Sequence, residues 1–235
     1  MAFGLVSNRQ VSASGSVIRG LGFAHYAEDA IEIMKSNNVT LENNTFVWNG
    51  LRGASFREST DAVIRGNIFS YNGMHGVRAG KSSGFLIEGN TFSYNSIERF
   101  RKDYTAAGMK IATTNNTVWR NNLFEHNFGN GMWLDVSSIN ATIKNNVVRD
   151  NETIGIMFEL CHKANITDNT ISNNAAGVMI ADSSNARVVG NRFSRNKKDI
   201  LLKDSPRRNR NRAEIAKGAE WVTRNNDIRN NQMSR

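Results

Sequence analysis

The feature that most constrains the fold is a periodic set of asparagines. The chain contains 33 asparagines among 235 residues. One set recurs every 22 to 24 residues, with a single step of 32, at Asn44, Asn67, Asn90, Asn122, Asn146, Asn169 and Asn191. A second set follows five residues later, at Asn49, Asn72, Asn95, Asn127, Asn151, Asn174 and Asn196. Asparagines at fixed turn positions suit left-handed backbone geometry and hydrogen bonding from repeat to repeat, so we expect nearly all of them to be structural.

The repeat predicts stacked short strands. Each unit holds alternating apolar segments of three to five residues, separated by Asn and Gly, and no helical period. Such a unit is typical of one coil of a parallel β-helix, which buries its inward side chains by stacking on the next coil. Leucine-rich repeats have a similar period, but their L-x-x-L-x-L scaffold is missing. We predict one all-β solenoid domain over residues 1–235, with about nine coils between residues 16 and 231.

One repeat position is aromatic in five units. Phenylalanine occupies it at Phe46, Phe69, Phe92, Phe124 and Phe193. In a stacked solenoid the same position of each coil lies directly above its counterpart, so these rings predict an internal aromatic stack.

Composition removes several classes of protein. The chain has one cysteine, Cys161, so it forms no internal disulfide, and no run of eighteen apolar residues is long enough to span a bilayer. No secretory signal pattern is visible in the first ten residues. The net charge of +9 favours an acidic partner. Nucleic acid is not favoured as that partner, because no nucleic-acid-binding motif occurs and many of the basic residues lie in one segment near the C-terminus.

Two segments interrupt the repeat. The long step carries about nine extra residues, which predicts a loop over residues 96–107 inserted just before a strand. This loop contains Arg99 and Tyr104. The second interruption, residues 206–219, is rich in Arg and Lys and is expected to leave the stack before the last coil.

Side chains alternate between the two faces of the strand that follows each repeat glycine. The outward positions, two and four residues after the glycine, form two columns of side chains along successive coils. The first column reads, in coil order, Ser55, Arg78, Lys110, Trp133, Met157 and Met179. The second reads Arg57, Gly80, Ala112, Asp135, Glu159 and Ala181. Neighbouring coils are about 4.8 Å apart, so Arg57, Arg78, Lys110, Trp133, Asp135 and Glu159 should share one surface patch with an exposed tryptophan. Adjacent carboxylates at Asp135 and Glu159 repel unless a cation or shared proton compensates, which indicates a site; a solvated charged face is the alternative.

The chain resembles the right-handed parallel β-helix superfamily, which includes pectate lyases, other polysaccharide lyases, mannuronan epimerases and phage tailspikes. The resemblance covers residues 16–231 and implies a right-handed solenoid. Within it, the run Gly108-Met-Lys110, Gly131-Met-Trp133-Leu-Asp135 and Gly155-Ile-Met-Phe-Glu159 is similar to a subset of bacterial β-helix proteins. The Asp-Pro-His-Asp signature of mannuronan epimerases is absent, as is the pectate lyase arrangement of several Asp ligands with a separate Arg base.

The resemblance implies a carbohydrate-active protein that acts on an acidic, uronic-acid polysaccharide in a groove on one sheet. Lyases and C5-epimerases of this kind abstract the proton α to a carboxylate and neutralise the developing charge. Lys110 or Arg78 would be the base or the neutralising group, and Asp135 and Glu159 would hold calcium or act as acid and base. Trp133, Arg57, Arg99 and Tyr104 would bind the sugar chain.

Two alternatives stay open. A glycoside hydrolase would use Asp135 and Glu159 as its carboxylate pair. A non-catalytic glycan-binding or adhesion solenoid would hold the polymer without cleaving it. An accessory copper-insertion protein would need converging Met, His or Cys ligands, whereas adjacent Met157 and Met179 are typical of packing. By resemblance the protein is expected to be extracellular or periplasmic.

Overall fold

Asparagine and glycine turns divide each coil into three short strands. The computed structural model describes residues 1–6, 13–207 and 220–234. Strands are numbered in chain order. The first sheet, which carries the predicted columns, contains β1 (Phe3–Val6), β4 (Ile31–Met34), β7 (Arg52–Arg57), β10 (His75–Ser83), β13 (Ala107–Asn115), β16 (Asn130–Asp135), β19 (Ile154–Glu159), β22 (Ala176–Ala181) and β25 (Lys198–Lys203).

Two further sheets complete the coil. The second contains β2 (Val17–Arg19), β5 (Thr40–Glu42), β8 (Val63–Arg65), β11 (Leu86–Glu88), β14 (Thr117–Arg120), β17 (Ile139–Lys144), β20 (His162–Thr167), β23 (Ser184–Val189) and β26 (Asp227–Arg229). The third contains β3 (Gly22–Ala24), β6 (Thr45–Val47), β9 (Ile68–Ser70), β12 (Thr91–Ser93), β15 (Leu123–Glu125), β18 (Val147–Arg149), β21 (Thr170–Ser172), β24 (Arg192–Ser194) and β27 (Gln232–Ser234).

Every strand pairs in parallel with its counterpart on the next coil, as β13 does with β10 and β16. Each sheet has nine strands over the described ranges, so the solenoid rises through eight coil-to-coil steps. Those ranges contain no helix, and therefore none that is long and apolar enough to cross a membrane. The predicted all-β parallel solenoid is confirmed.

The asparagines form the predicted ladders. Asn72 is representative: its Nδ2 donates to the carbonyl oxygen of Phe46 at 3.2 Å and to Oδ1 of Asn95 at 2.9 Å. Its own Oδ1 accepts from the side chain of Asn49. The left-handed geometry belongs to a different residue, however. In the first set the residue before each ladder asparagine has positive φ, as at Asn43 with φ 52° and Gly66 with φ 63°.

The interior is apolar and partly aromatic. Phe23, Phe46, Phe69, Phe92 and Phe124 stack with ring centroids 4.4 to 5.0 Å apart. The predicted stack is confirmed up to Phe124. Val148 and Ile171 then occupy the column before Phe193, so aliphatic packing continues it where the rings stop.

Both sequence interruptions leave the ladders intact. Asn90 Nδ2 donates to Asn122 Oδ1 at 3.0 Å across the long step, so the residues between β12 and β13 bulge out without shifting the register. The basic insertion is described only at Pro206 and Arg207, and residues 208–219 lie outside the described ranges. Beyond it, Asn191 Nδ2 donates to Asn231 Oδ1 at 3.0 Å, so β26 and β27 rejoin the stack.

Candidate functional site

A cavity of about 610 Å³ lies on the outer face of the first sheet. It is bounded by the ends of several strands, by the loop of residues 96–106, here called the site loop, and by Arg207. We call it the cationic cavity. Its lining residues are Arg52, Met74, Arg78, Phe100, Arg101, Asp103, Tyr104, Thr105, Lys110, Ala112, Trp133, Asp135, Val136, Glu159 and Arg207. Five are cationic side chains and three are carboxylates.

The repeat glycine is the second residue of the strand that presents each outward side chain. At Gly131, a Cβ atom would lie 2.6 Å from the carbonyl oxygen of Gly155 on the next coil, so a larger residue would push the coils apart. Alternation after this glycine points Trp133 and Asp135 outward. The ladder register then places Lys110 beside Trp133.

Lys110 lies at the centre of the cavity floor and is only 9% exposed. Its Nζ donates to the carbonyl oxygen of Tyr104 at 2.6 Å and lies 2.9 Å from Oδ2 of Asp135. It also lies 3.4 Å from the centre of the Trp133 ring, which is a cation–π contact. Burial lowers the pKa of the Lys110 ammonium, and the nearby carboxylate of Asp135 opposes part of that decrease.

The two predicted carboxylates lie on adjacent strands, β16 and β19, and each has its own cationic partner. Asp135 pairs with Lys110, and its Oδ1 accepts the N–H of Val136 at 2.8 Å. Glu159 accepts from Arg207 at Oε1 and from the indole N–H of Trp133 at Oε2, 3.2 Å away. Burial raises the pKa of Glu159, repulsion from Asp135 adds to the rise, and the hydrogen bond from Arg207 opposes it.

The structure corrects the prediction for Trp133. Its side chain does point out of the sheet, but it is only 1% exposed. Lys110 covers the ring, and Met157 on the next coil packs beside it. An apolar cluster of Ala107, Trp133, Met157, Met179 and Ala181 thus lies on the outer face of the sheet. The indole therefore offers no open face to a sugar and instead supports Lys110 and Glu159.

Arg78 is exposed at the cavity wall, one coil before Lys110. Within the described ranges no carboxylate lies within ion-pair distance of its guanidinium, whereas Lys110 and Arg207 both have carboxylate partners. Partial burial lowers the pKa of Arg78, and the positive charge of Arg52 lowers it further. An arginine stays protonated in spite of such a shift. Arg78 is therefore a cation in the cavity that is available to an anion.

Arg57 and Arg99, both predicted to bind substrate, lie outside the cationic cavity. Arg57 projects into solvent with its side chain 61% exposed and its Nε 3.4 Å from Glu58 Oε1. Arg99 lies over the ring of Phe128 at 4.0 Å and pairs with Glu152 at 3.1 Å, on the other side of the site loop. The shared patch thus excludes Arg57, and Arg99 anchors the loop.

Tyr104 is on the site loop and lines the cavity as expected. Its carbonyl oxygen accepts from Lys110, and the next carbonyl, that of Thr105, accepts from Nε2 of buried His75. Burial lowers the pKa of His75 well below its ordinary value, and Arg52 and Lys110 add to that effect. A neutral imidazole is thus the form that holds the loop in place.

Four site residues were missed by the sequence argument. Arg52, Arg101 and Asp103 line the cavity, and both of these arginines form ion pairs: Arg52 with Asp29 at 3.0 Å, and Arg101 with Asp103 at 2.7 Å. The fourth, Arg207, reaches Glu159 from 48 residues away in sequence. Arg52 opens strand β7 one residue before the repeat glycine, where alternation predicts an inward side chain, so the columns did not include it. The others lie on irregular segments that the repeat does not describe.

Calcium was a further prediction, and the described side chains do not fit it. Calcium takes 6 to 8 oxygen ligands. The described ranges hold no group of three or more His, Cys, Asp or Glu residues able to share an ion. Asp135 and Glu159 already bind Lys110 and Arg207.

Fold and site together define a parallel β-solenoid with a cationic cavity on the outer face of one sheet. The profile of the family described as "Right handed beta helix region" matches residues 29–193 and 140–234, so the chain belongs to the right-handed β-helix family. No curated protein sequence matches the chain.

Solved structures with the same fold are similar at low sequence identity. The A-module of a mannuronan C-5 epimerase from Azotobacter vinelandii has a TM-score of 0.62 at 15% identity and covers 92% of this chain and 63% of its own. The periplasmic alginate epimerase AlgG has a TM-score of 0.63 at 13% identity, with coverage of 90% and 61%. PfbA, a surface adhesin of Streptococcus pneumoniae, has a TM-score of 0.55 at 13% identity, with coverage of 80% and 59%. The chain thus spans about three-fifths of the length of these structures.

Proposed function

We propose that this β-helix acts on an acidic polysaccharide and abstracts the proton next to a uronate carboxylate, as a lyase or a C5-epimerase does. One observation carries the proposal: the guanidinium of Arg78 lines the cationic cavity and has no carboxylate at ion-pair distance among the described residues. A planar guanidinium matches a carboxylate through two parallel hydrogen bonds. A uronate in the cavity would supply that missing partner.

The dimensions and charge of the cavity support a sugar chain. A volume of about 610 Å³ is within the range of ligand sites, about 300 to 1,000 Å³. Its cations are spread along successive coils of the sheet, with Arg78 on β10 and Lys110 on β13. The coil spacing of about 4.8 Å is close to the length of one sugar in an extended chain, so a polymer aligned with the solenoid axis would present one sugar to each coil.

The chemistry needs a base beside the uronate C5 and positive charge near its carboxylate. Lys110 becomes a neutral base when its ammonium loses one proton to solvent, and burial, which lowers the pKa of Lys110, favours the neutral amine. The neutral amine then takes the C5 proton, and the electron pair of the broken C–H bond moves into the carboxylate to form an enediolate. Arg78 stabilises the charge of that enediolate.

Two outcomes of the enediolate distinguish the reactions. If the electron pair returns to expel the oxygen at C4, the glycosidic bond breaks and a conjugated double bond remains, which is β-elimination. If C5 regains a proton on the opposite face, its configuration inverts. Tyr104 is the exposed cavity side chain with a hydroxyl group that is suited to donate that proton.

A hydrolase is less well supported by the contacts of Glu159. A general acid must carry a proton on a carboxyl oxygen, but both oxygens of Glu159 accept hydrogen bonds, one from Arg207 and one from Trp133. Burial raises the pKa of Glu159 and Arg207 opposes that rise, but the two donors occupy both oxygens from which a proton would pass to a glycosidic oxygen. Two observations favour glycan binding without catalysis. Every carboxylate of the cavity is already paired, and one of the similar structures is an adhesin.

The test is a panel of polyuronates incubated with the protein, with and without a chelator. A lyase gives rising ultraviolet absorbance from the new double bond; a hydrolase gives new reducing ends without it. Binding to each polymer is measured in parallel. Arg78→Ala should weaken binding about tenfold or more, because a charged hydrogen-bond pair contributes about 1.5 to 3 kcal/mol.

Arg57→Ala is the matched control, because Arg57 is an arginine on the same sheet that lies outside the cavity. Equal binding by the Arg78 and Arg57 variants would contradict the proposal. Binding without any product or proton exchange would instead identify the glycan-binding solenoid. An extracellular or periplasmic location, in keeping with the neighbours AlgG and PfbA, belongs to the same proposal.

A further inference from the structure

A second cavity, of about 530 Å³, lies next to the cationic cavity on the same sheet. The two share Asp103, Glu159 and Arg207, so they are neighbouring sections of one groove. The second cavity is also lined by Lys102, Asn130, Thr153, Ile154, Met157, Met179, Ala181, Lys203 and Ser205. It is called the methionine cavity below.

The character of the outward column changes between the two cavities. Along it, Arg78 and Lys110 are followed by Trp133 and then by Met157 and Met179, one residue per coil. The floor of the methionine cavity therefore consists of two thioether side chains, 6% and 8% exposed, flanked by half-exposed Ile154. A flexible thioether adapts to small apolar groups. A carboxylate on this floor would lose water, and of the three cations that line the cavity, Lys102 and Arg207 already pair with Glu152 and Glu159.

The buried side-chain amide of Asn130 could donate a hydrogen bond to a polar group of a ligand in this cavity. Asn130 is 1% exposed and lines the methionine cavity. Its Oδ1 accepts from the hydroxyl of Thr153 at 2.7 Å and from the N–H of Ile154 at 3.2 Å, which fixes the amide orientation. Its Nδ2 has as its partner, within the described ranges, the sulfur of Met157 at 3.5 Å. Sulfur is a weak acceptor, so this amide donor is available to a stronger one.

We propose that the methionine cavity binds an O-acetyl group on the sugar next to the uronate. The ester carbonyl accepts from Asn130 Nδ2, and the acetyl methyl lies on Met157 and Met179. A deoxy sugar would match the apolar floor but would leave the Asn130 donor unused. The inference rests on the proposed function, because it assigns the neighbouring section of the same groove, and it makes the substrate a partly acetylated acidic polymer.

The test compares one polyuronate in two forms, naturally O-acetylated and deacetylated with mild alkali. The dissociation constant of each form is measured by calorimetry with the full chain. Wild type should bind the acetylated form about tenfold more tightly, since one small apolar group in a matching pocket discriminates by about 10- to 200-fold. Met179→Gln, similar in volume but polar, and Asn130→Asp, which keeps the acceptor and removes the donor, should each abolish the preference.

Leu202→Gln is the matched control, because Leu202 is an apolar residue on the first sheet that lies outside both cavities. It should keep the preference. Equal affinity for the two forms in wild type, or a preference that survives in both variants, would overturn the inference. Arg78→Ala should weaken binding of both forms equally. Failure of wild type to bind either form would reject the proposed function and the inference together, whereas equal binding that depends on Arg78 would reject the inference alone.

Discussion

Replacing Lys110 by methionine should destabilise the solenoid strongly, although the residue points out of the sheet. The substitution keeps the buried apolar stem and removes the ammonium. It leaves the Asp135 carboxylate, whose side chain is 10% exposed, with the N–H of Val136 as its remaining polar partner among the contacts described above. Removing one partner of a buried ion pair costs about 3 to 5 kcal/mol.

We expect the lower end of that range, about 3 kcal/mol, because Val136 still satisfies one oxygen and because the lowered pKa of Lys110 shows that the ammonium itself is costly to bury. Asp135→Asn should cost about 2 kcal/mol, since it leaves the ammonium without its counter-charge. The double variant has neither charge and should lie within about 1 kcal/mol of wild type. The two sites are then coupled by about 4 kcal/mol.

Urea unfolding followed by tryptophan fluorescence and by circular dichroism measures each free energy of unfolding. For a chain of this length, 3 kcal/mol corresponds to a decrease in Tm of about 6 to 12 °C. Lys198→Met, at an exposed lysine on the same sheet, is the control and should change stability by about 0.5 kcal/mol or less. A cost below about 1 kcal/mol for Lys110→Met, or additive effects in the double variant, would refute the buried ion pair.

Three further predictions concern the frame and the site. Asn72→Ala removes four ladder hydrogen bonds and should cost about 3 kcal/mol in urea unfolding; a cost under about 1 kcal/mol would show that the ladder contributes little. Gly155→Ala places a Cβ 2.7 Å from the carbonyl oxygen of Gly177 and should lower Tm, whereas an unchanged Tm would mean that the coils can separate freely. Because the pKa of Glu159 is raised, the folded state holds its proton at a pH where the unfolded state has lost it, so stability falls as pH rises through that window. The free energy of unfolding of wild type minus that of Glu159→Gln should therefore decrease as the pH rises above about 4.3, the ordinary pKa of a glutamate, and a flat or rising difference would contradict the pKa shift.

The fold could be predicted from the sequence because the repeat encodes it at each level. The ladder asparagines, the inward phenylalanines and the strand alternation all specify the same coil. Turn geometry was predicted less accurately, since the residue with left-handed backbone geometry is the one before the ladder asparagine. The residue at that position varies, as at Asn43, Gly66 and Asp168, so it leaves a weaker periodic signal.

The part of the candidate site that was predicted belongs to the repeat, apart from Tyr104, whose inserted loop directly precedes the Lys110 strand. Alternation and register place Arg78, Lys110, Asp135 and Glu159 in the cavity, because these properties follow from strand geometry alone. Alternation identifies the outer face but does not show what covers it, which is why Trp133 was expected to be exposed. Arg207 comes from a segment with no repeat pattern, so neither periodicity nor composition predicted its contact with Glu159.

The most direct test of the central claim is solvent proton exchange at C5 of a polyuronate. The polymer is incubated with the protein in deuterated buffer and followed by nuclear magnetic resonance, and Arg57→Ala serves as the matched control. The account predicts deuterium at C5, or loss of the C5 signal through elimination, in wild type and in Arg57→Ala. Neither deuterium incorporation at C5 nor elimination should occur with Arg78→Ala or with Lys110→Met samples shown to be folded. Exchange that persists in both of these variants, or polymer that is bound by wild type without any exchange, would contradict proton abstraction in the cationic cavity.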